Sequence, residues 1–162
     1  MKTIFFAIII LITSLFTTKA QESQTVFNVG AGILYGIGGH ISCDHSMKHL
    51  NEHSALTAGW YAGVQRGDGY ASIGNSTYEW DYKWLVSPRV GCVYSLGQRL
   101  DVFAALMPGL LIDNKYDNTH ATYRFFTGIT GGGRVRLFNN VSFFTEAGYN
   151  ILCLNAGFSV KF

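Results

Sequence analysis

The chain has 162 residues, 48% apolar, with slightly more aromatic (15%) than charged (14%) residues; this excludes a disordered chain and leaves room for one domain and little more. Its formal charge of +2 comes from Lys2 and Lys19, beyond which ten basic residues face ten acidic ones, so charge gives a nucleic-acid partner no support. The three cysteines, Cys43, Cys92 and Cys153, are odd in number and far apart, so at most one pair forms and three small strand residues are the simpler reading.

Residues 1–20 have the layout of a secretory signal: Lys2 at the start, an apolar run from Ile4 to Phe16, and Thr18-Lys19-Ala20 as a small-residue cleavage site. The apolar run is too short for a spanning helix, and no Cys follows the cut to carry a lipid anchor. The domain is therefore expected to occupy 21–162.

Beyond that segment the period is two throughout, the mark of strands with one apolar face. Phe27, Val29, Ala31, Ile33 and Tyr35 alternate with Asn28, Gly30, Gly32, Leu34 and Gly36. A weaker strand covers Gly39 to Met47, where Asp44, His45, Lys48 and His49 blur the alternation. After a polar turn near Leu50-Asn51-Glu52, a third strand sets Ala58, Trp60, Ala62 and Val64 against Thr57, Gly59, Tyr61 and Gly63. Arg66 to Thr77 is a polar, glycine-rich loop.

The fourth strand is long, with Trp80, Tyr82, Trp84, Val86, Pro88, Val90, Cys92, Tyr94 and Leu96 on one face. Gly97-Gln98-Arg99 turns it into a fifth, Leu100 to about Asp113, in which Pro108 predicts a bulge. A second polar loop, Asn114 to His120, leads to a sixth strand from Ala121 to Leu137. The closing hairpin pairs Val141–Tyr149 with Leu152–Phe162 around a turn at Asn150-Ile151, and its last residue is aromatic.

Eight strands with tight turns after the second, fourth and sixth, and longer loops after the third and fifth, predict an all-β fold, an eight-stranded antiparallel transmembrane β-barrel. The short turns and both termini then lie on the periplasmic side. The apolar face points to lipid and the polar or glycine face inward, the reverse of a soluble barrel. Closure is required, because an open sheet edge leaves unpaired N–H and C=O groups in hydrocarbon. Trp80, Tyr82, Trp84 and Tyr123 are expected at the outer interface, and Phe27, Tyr94 and Phe162 at the periplasmic one.

Four stretches resemble the small outer-membrane β-barrel family of the OmpA and OmpX type. They are Phe27-Asn28-Val29-Gly30-Ala31-Gly32, Asp101 to Leu106, the glycine-rich Gly128 to Val135, and Phe143 through Phe162. The resemblance implies outer-membrane lipid around the barrel and insertion by the outer-membrane assembly machinery, which reads a terminal strand ending in an aromatic such as Phe162. It implies no cofactor and no catalytic residues.

Few residues suggest chemistry. His45, His49 and His53 would share a face of a helix and could hold a metal there, but on a strand-turn-strand they spread out, and no metal is expected. The run Gly128 to Gly133 lacks the Lys-Ser/Thr of a phosphate loop, so small residues in a narrow bore explain it better. His120 near Thr119, Thr122 and Ser76, and His40 near Ser42, lack a nucleophile motif, so an enzyme acting on lipid acyl chains is a weak alternative.

Glu146, Arg89, Arg134, Arg136, Arg124 and Lys161 fall on the inner face and predict a charge network plugging the lumen. A short loop at Phe138-Asn139-Asn140 sets Arg134 opposite Phe144 and diagonal to Glu146, which predicts a Glu146–Arg134 pair widened by Arg89 and Arg136. Together these features favour a structural or surface-interaction protein, ahead of a narrow channel and, more distantly, a soluble lipocalin-like binder.

Overall fold

The structure is a computed structural model and describes residues 24–33, 37–66, 82–114, 122–149 and 153–162. The expected signal segment, Trp80, the Asn150-Ile151 turn, and most of the two long loops lie outside these residues.

Eight antiparallel strands close into a barrel: β1 Thr25–Ile33, β2 Ile37–His49, β3 Ser54–Arg66, β4 Tyr82–Leu96, β5 Leu100–Asn114, β6 Thr122–Arg136, β7 Val141–Tyr149 and β8 Leu154–Lys161. Each strand pairs with its sequence neighbour, and β8 returns to β1 from Val26↔Lys161 to Ile33↔Leu154. Closure leaves the sheet without an edge. Both described termini and the turns at 50–53, 97–99 and 137–140 share one end, called here the turn end. The opposite end is the loop end.

Period-two alternation decides which way each side chain points. On β4 the odd residues Leu85, Ser87 and Arg89 are buried inside, while Val86, Pro88 and Val90 face out. The outer wall is apolar, with Val90 57%, Leu106 53%, Ile129 56% and Phe158 57% exposed. Inside, Asn28, Ser42, Arg89, Glu146 and Ser159 are all buried. The inverted arrangement expected from the sequence is the one observed.

Backbone details explain the local sequence. Gly97 has φ +78°, a conformation disfavoured for side chains, at the head of the β4–β5 turn. A Cβ on Gly132 would overlap Thr145 O and Glu146 of the adjoining strand, so this inward position admits only glycine. The glycine-rich run is not wholly inward-facing, however: Gly131 and Gly133 alternate with Gly132 and so face out.

Two expectations need correction. The uncertain second strand is longer than predicted, and its irregularity is a register shift between Ser46 and Lys48. Pro108 makes no register shift: the β4–β5 register is the same at Val86↔Leu110 and at Val90↔Leu106, and β5–β6 runs unbroken through Pro108↔Thr127. That register places Pro108 opposite Pro88, the only other proline. Neither can donate a hydrogen bond, so the ladder skips the intervening pairs without needing an extra residue. The Ser87 hydroxyl lies 2.6 Å from Pro88 O and 3.0 Å from Pro108 O, capping carbonyls that no proline N–H can reach.

Candidate functional site

The lumen concentrates the polar chemistry of the chain, and Arg89 is its hub. This β4 guanidinium contacts Asp44 of β2 (Nε to Oδ1, 3.2 Å) and Glu146 of β7 (Nη2 to Oε2, 3.2 Å), with Arg89 and Glu146 almost wholly buried. Glu146 also accepts from Asn155 Nδ2 at 3.0 Å and lies 3.6 Å from His40 Nε2. Asn28 Nδ2 lies 2.9 Å from Ser42 Oγ and 3.3 Å from Asp44 Oδ2.

Arg134 anchors a second part of the network. It donates through Nε to Ser159 Oγ at 3.1 Å and through Nη2 to Asn28 Oδ1 at 3.2 Å. The guanidinium carbons of Arg89 and Arg134 lie 5.5 and 5.2 Å from the centroid of the Phe103 ring. Two like charges thus share one aromatic ring, an arrangement that its electron-rich faces favour.

Arg134 stands opposite Phe144, as the sequence register requires, but the contacting cation of Glu146 is Arg89 and not Arg134. Strand register reports neighbours along the wall; Arg89 reaches Glu146 across the bore from a strand that does not adjoin β7. Arg136 and Arg124 keep the inward register but are exposed near opposite ends of β6, and Lys161 is half-buried.

Toward the loop end the lumen changes character. Tyr61, Leu85 and Met107 form a buried apolar cluster, with Leu111 and Phe126 packed against it. Sequence reasoning assigned small or polar residues to this face and missed the cluster. A signal was available, since Trp84-Leu85-Val86 and Leu110-Leu111-Ile112 are apolar on both faces. His40 joins the two regions: it stacks on Tyr61 at 5.0 Å and meets Phe144 edge-on at 5.8 Å, while its Nε2 faces Glu146. A side chain on Gly30 or Gly157 would strike the Phe144 ring, which explains the small residues beside it.

The weaker candidates separate. His45 lies on β2 with Nδ1 2.9 Å from Thr25 Oγ1, His49 is exposed at the end of β2, and His53 is in the following turn. His40 turns Nε2 toward Glu146 and Ser42 Oγ accepts from Asn28, and no hydrogen bond joins His40 to Ser42 among the described residues. His120, Thr119 and Ser76 lie outside the described residues. All three cysteines are free thiols.

The aromatics expected at the interfaces fall near the strand ends. Tyr82, Trp84 and Tyr123 are exposed toward the loop end, and Tyr94 and Phe162 toward the turn end. Phe27, near the turn end of β1, packs edge-on against Trp60 with centroids 6.1 Å apart.

No protein family and no curated protein matches the chain in sequence. Solved structures do match in fold. Ail, the attachment invasion locus protein of Yersinia pestis, solved with the heparin analogue sucrose octasulfate, is 10% identical, with 86% of this chain and 97% of that one covered and a TM-score of 0.57. A major outer membrane protein from Thermus thermophilus is 15% identical over 88% of this chain and 100% of that one, with a TM-score of 0.56. A de novo designed transmembrane β-barrel is 16% identical, covering 89% and 98%, with a TM-score of 0.50. The chain therefore has the fold of eight-stranded membrane barrels.

Proposed function

We propose that this is an integral outer-membrane barrel of the bacterial surface, allied to the OmpA and OmpX type, with a structural or surface-interaction role and no enzymatic activity. The observation that carries the reading is the inversion of the barrel: Val90 is 57% and Leu106 53% exposed, whereas Arg89 is 2% and Glu146 3% exposed. In water such a wall would drive aggregation, and in lipid it is the stable arrangement. The fully buried Tyr61 and Met107 across the bore support a plugged lumen over a conducting one.

In this orientation the turn end faces the periplasm and the loop end, where β3 ends at Arg66 and β4 begins at Tyr82, faces outward, so surface recognition falls to the loop end. Phe162 ends the strand presented to the assembly machinery. The surrounding partner is outer-membrane lipid.

The test is fractionation with heat-modifiable mobility. The protein is expected in the outer-membrane fraction, resistant to an aqueous wash, and to migrate differently on gels when boiled. Recovery in the aqueous wash with no mobility change refutes the reading and favours a soluble binder.

A further inference from the structure

At the turn end the lumen opens into a cavity of about 50 Å³ whose lining, among the described residues, includes Arg89, Arg134, Arg136 and Lys161 and two acids, Asp44 and Asp101. One ordered water needs about 10–15 Å³ by the same measure, so the space suits about four waters or one tetrahedral anion.

Charge partition inside the lumen is uneven. Arg89 is held by both Asp44 and Glu146. Among the described residues four cations of the lining, Arg89, Arg134, Arg136 and Lys161, meet Asp44 and Asp101 of the lining and Glu146 beyond it, which leaves a net charge of +1. Lys161 lies within electrostatic range of Arg134, Arg136 and Asp101. Asp101 accepts a hydroxyl bond from Ser95 at 2.7 Å.

Arg134 adds an independent observation. It is only 7% exposed, yet the two acceptors it bonds, Ser159 and Asn28, are neutral. A guanidinium carries five N–H donors in a rigid fork. Two are used among the described residues, both on neutral acceptors, while Asp44, Asp101 and Glu146 lie within electrostatic range. The hydroxyls of Ser142 and Ser159 and the amide of Asn140 line the same space and add neutral hydrogen-bonding groups.

We propose that the turn-end mouth of the lumen is a binding site for a dianionic tetrahedral oxyanion, a phosphate or phosphomonoester group, held by Arg134, Arg136 and Lys161. The net positive charge attracts a dianion more strongly than a singly charged carboxylate. The forked donors of two arginines suit its geometry, with bonds stronger than those to neutral acceptors.

The test uses the full chain purified in detergent and titrated with inorganic phosphate at pH 7.5, sodium chloride holding ionic strength constant. Side-chain Nε–H resonances of arginine and the amides of Ser142 and Ser159 report binding. Saturable shifts are expected, and affinity should fall at least tenfold in the Arg136→Gln/Lys161→Gln variant. Both changes lie at the open mouth, and heat-modifiable mobility confirms that the variant is folded.

Methyl phosphate is the second probe. Saturation by both probes supports a site open to a phosphomonoester, and saturation by phosphate alone supports one for the free ion. Shifts that never saturate, an affinity unchanged in the double variant, or acetate binding as tightly as phosphate would overturn the proposal.

Discussion

The two regions of the lumen fill the same narrow bore with opposite chemistry. Toward the turn end, Arg89, Asp44, Glu146, Arg134 and Asn28 are joined by directional contacts, each partner specified by geometry. Toward the loop end, Tyr61, Leu85 and Met107 simply exclude water. The difference lies in tolerance. An apolar cluster accepts changes that conserve volume, whereas a buried charge network fails when any one charge loses its partner. His40 and the opposed prolines lie where the two regions meet.

The largest effect is expected at Arg89. Replacing it with Met strands Asp44 and Glu146 together in the bore. Removing one partner of a buried pair costs about 3–5 kcal/mol, and here one guanidinium serves two acids. Glu146→Gln should cost less, because Arg89 keeps Asp44. Urea unfolding in detergent measures both; equal costs for the two variants would show that Arg89 is not the hub.

That hub also marks how far the sequence could be read. Alternation located the strands, the inward parity of Glu146 and Arg89, and the Arg134↔Phe144 register, because each is a property of the wall. The Arg89–Glu146 contact depends on the width of the closed barrel, which no strand encodes alone. The apolar cluster was missed for another reason. A rule that inward residues are small or polar hides Leu85 and Met107, which share their parity with Ser87 and Gly109.

The apolar region should respond differently. Met107→Ala is expected to cost about 2–5 kcal/mol by opening a cavity in a fully buried site. Tyr61→Phe should be nearly neutral, since the Tyr61 hydroxyl is buried with no hydrogen-bond partner among the described residues. Unfolding midpoints decide this, and a large loss in Tyr61→Phe would mean that the region is polar in function.

Both lumen regions are meaningful only if the outer wall meets lipid. Ala156 is exposed on β8, while Lys161 has the inward register of that strand. Ala156→Arg is expected to cost about 2–4 kcal/mol near the bilayer midplane. Lys161→Gln should be close to silent in stability. Equal tolerance of the two changes, measured by the yield of heat-modifiable protein in membranes, would indicate that the faces are reversed.

The smallest effect is expected at the boundary itself. Pro88 and Pro108 face each other between Ser87 and Arg89 on one strand and Met107 and Gly109 on the next, where the ladder skips its pairs although the register continues. With both replaced by Val, each new N–H meets the opposite carbonyl, two bonds worth about 1 kcal/mol each before any loss from displacing the Ser87 hydroxyl. Either single variant restores only one donor and should gain less. Val is suited to an extended, outward-facing position, so the change brings no steric conflict with the strand. A rise of about 1–2 kcal/mol for the double variant is expected, with slower hydrogen exchange at the amides of Val86 and Val90 flanking the gap. Unchanged exchange beside an unchanged unfolding midpoint would mean that the Ser87 hydroxyl already compensates for the missing donors.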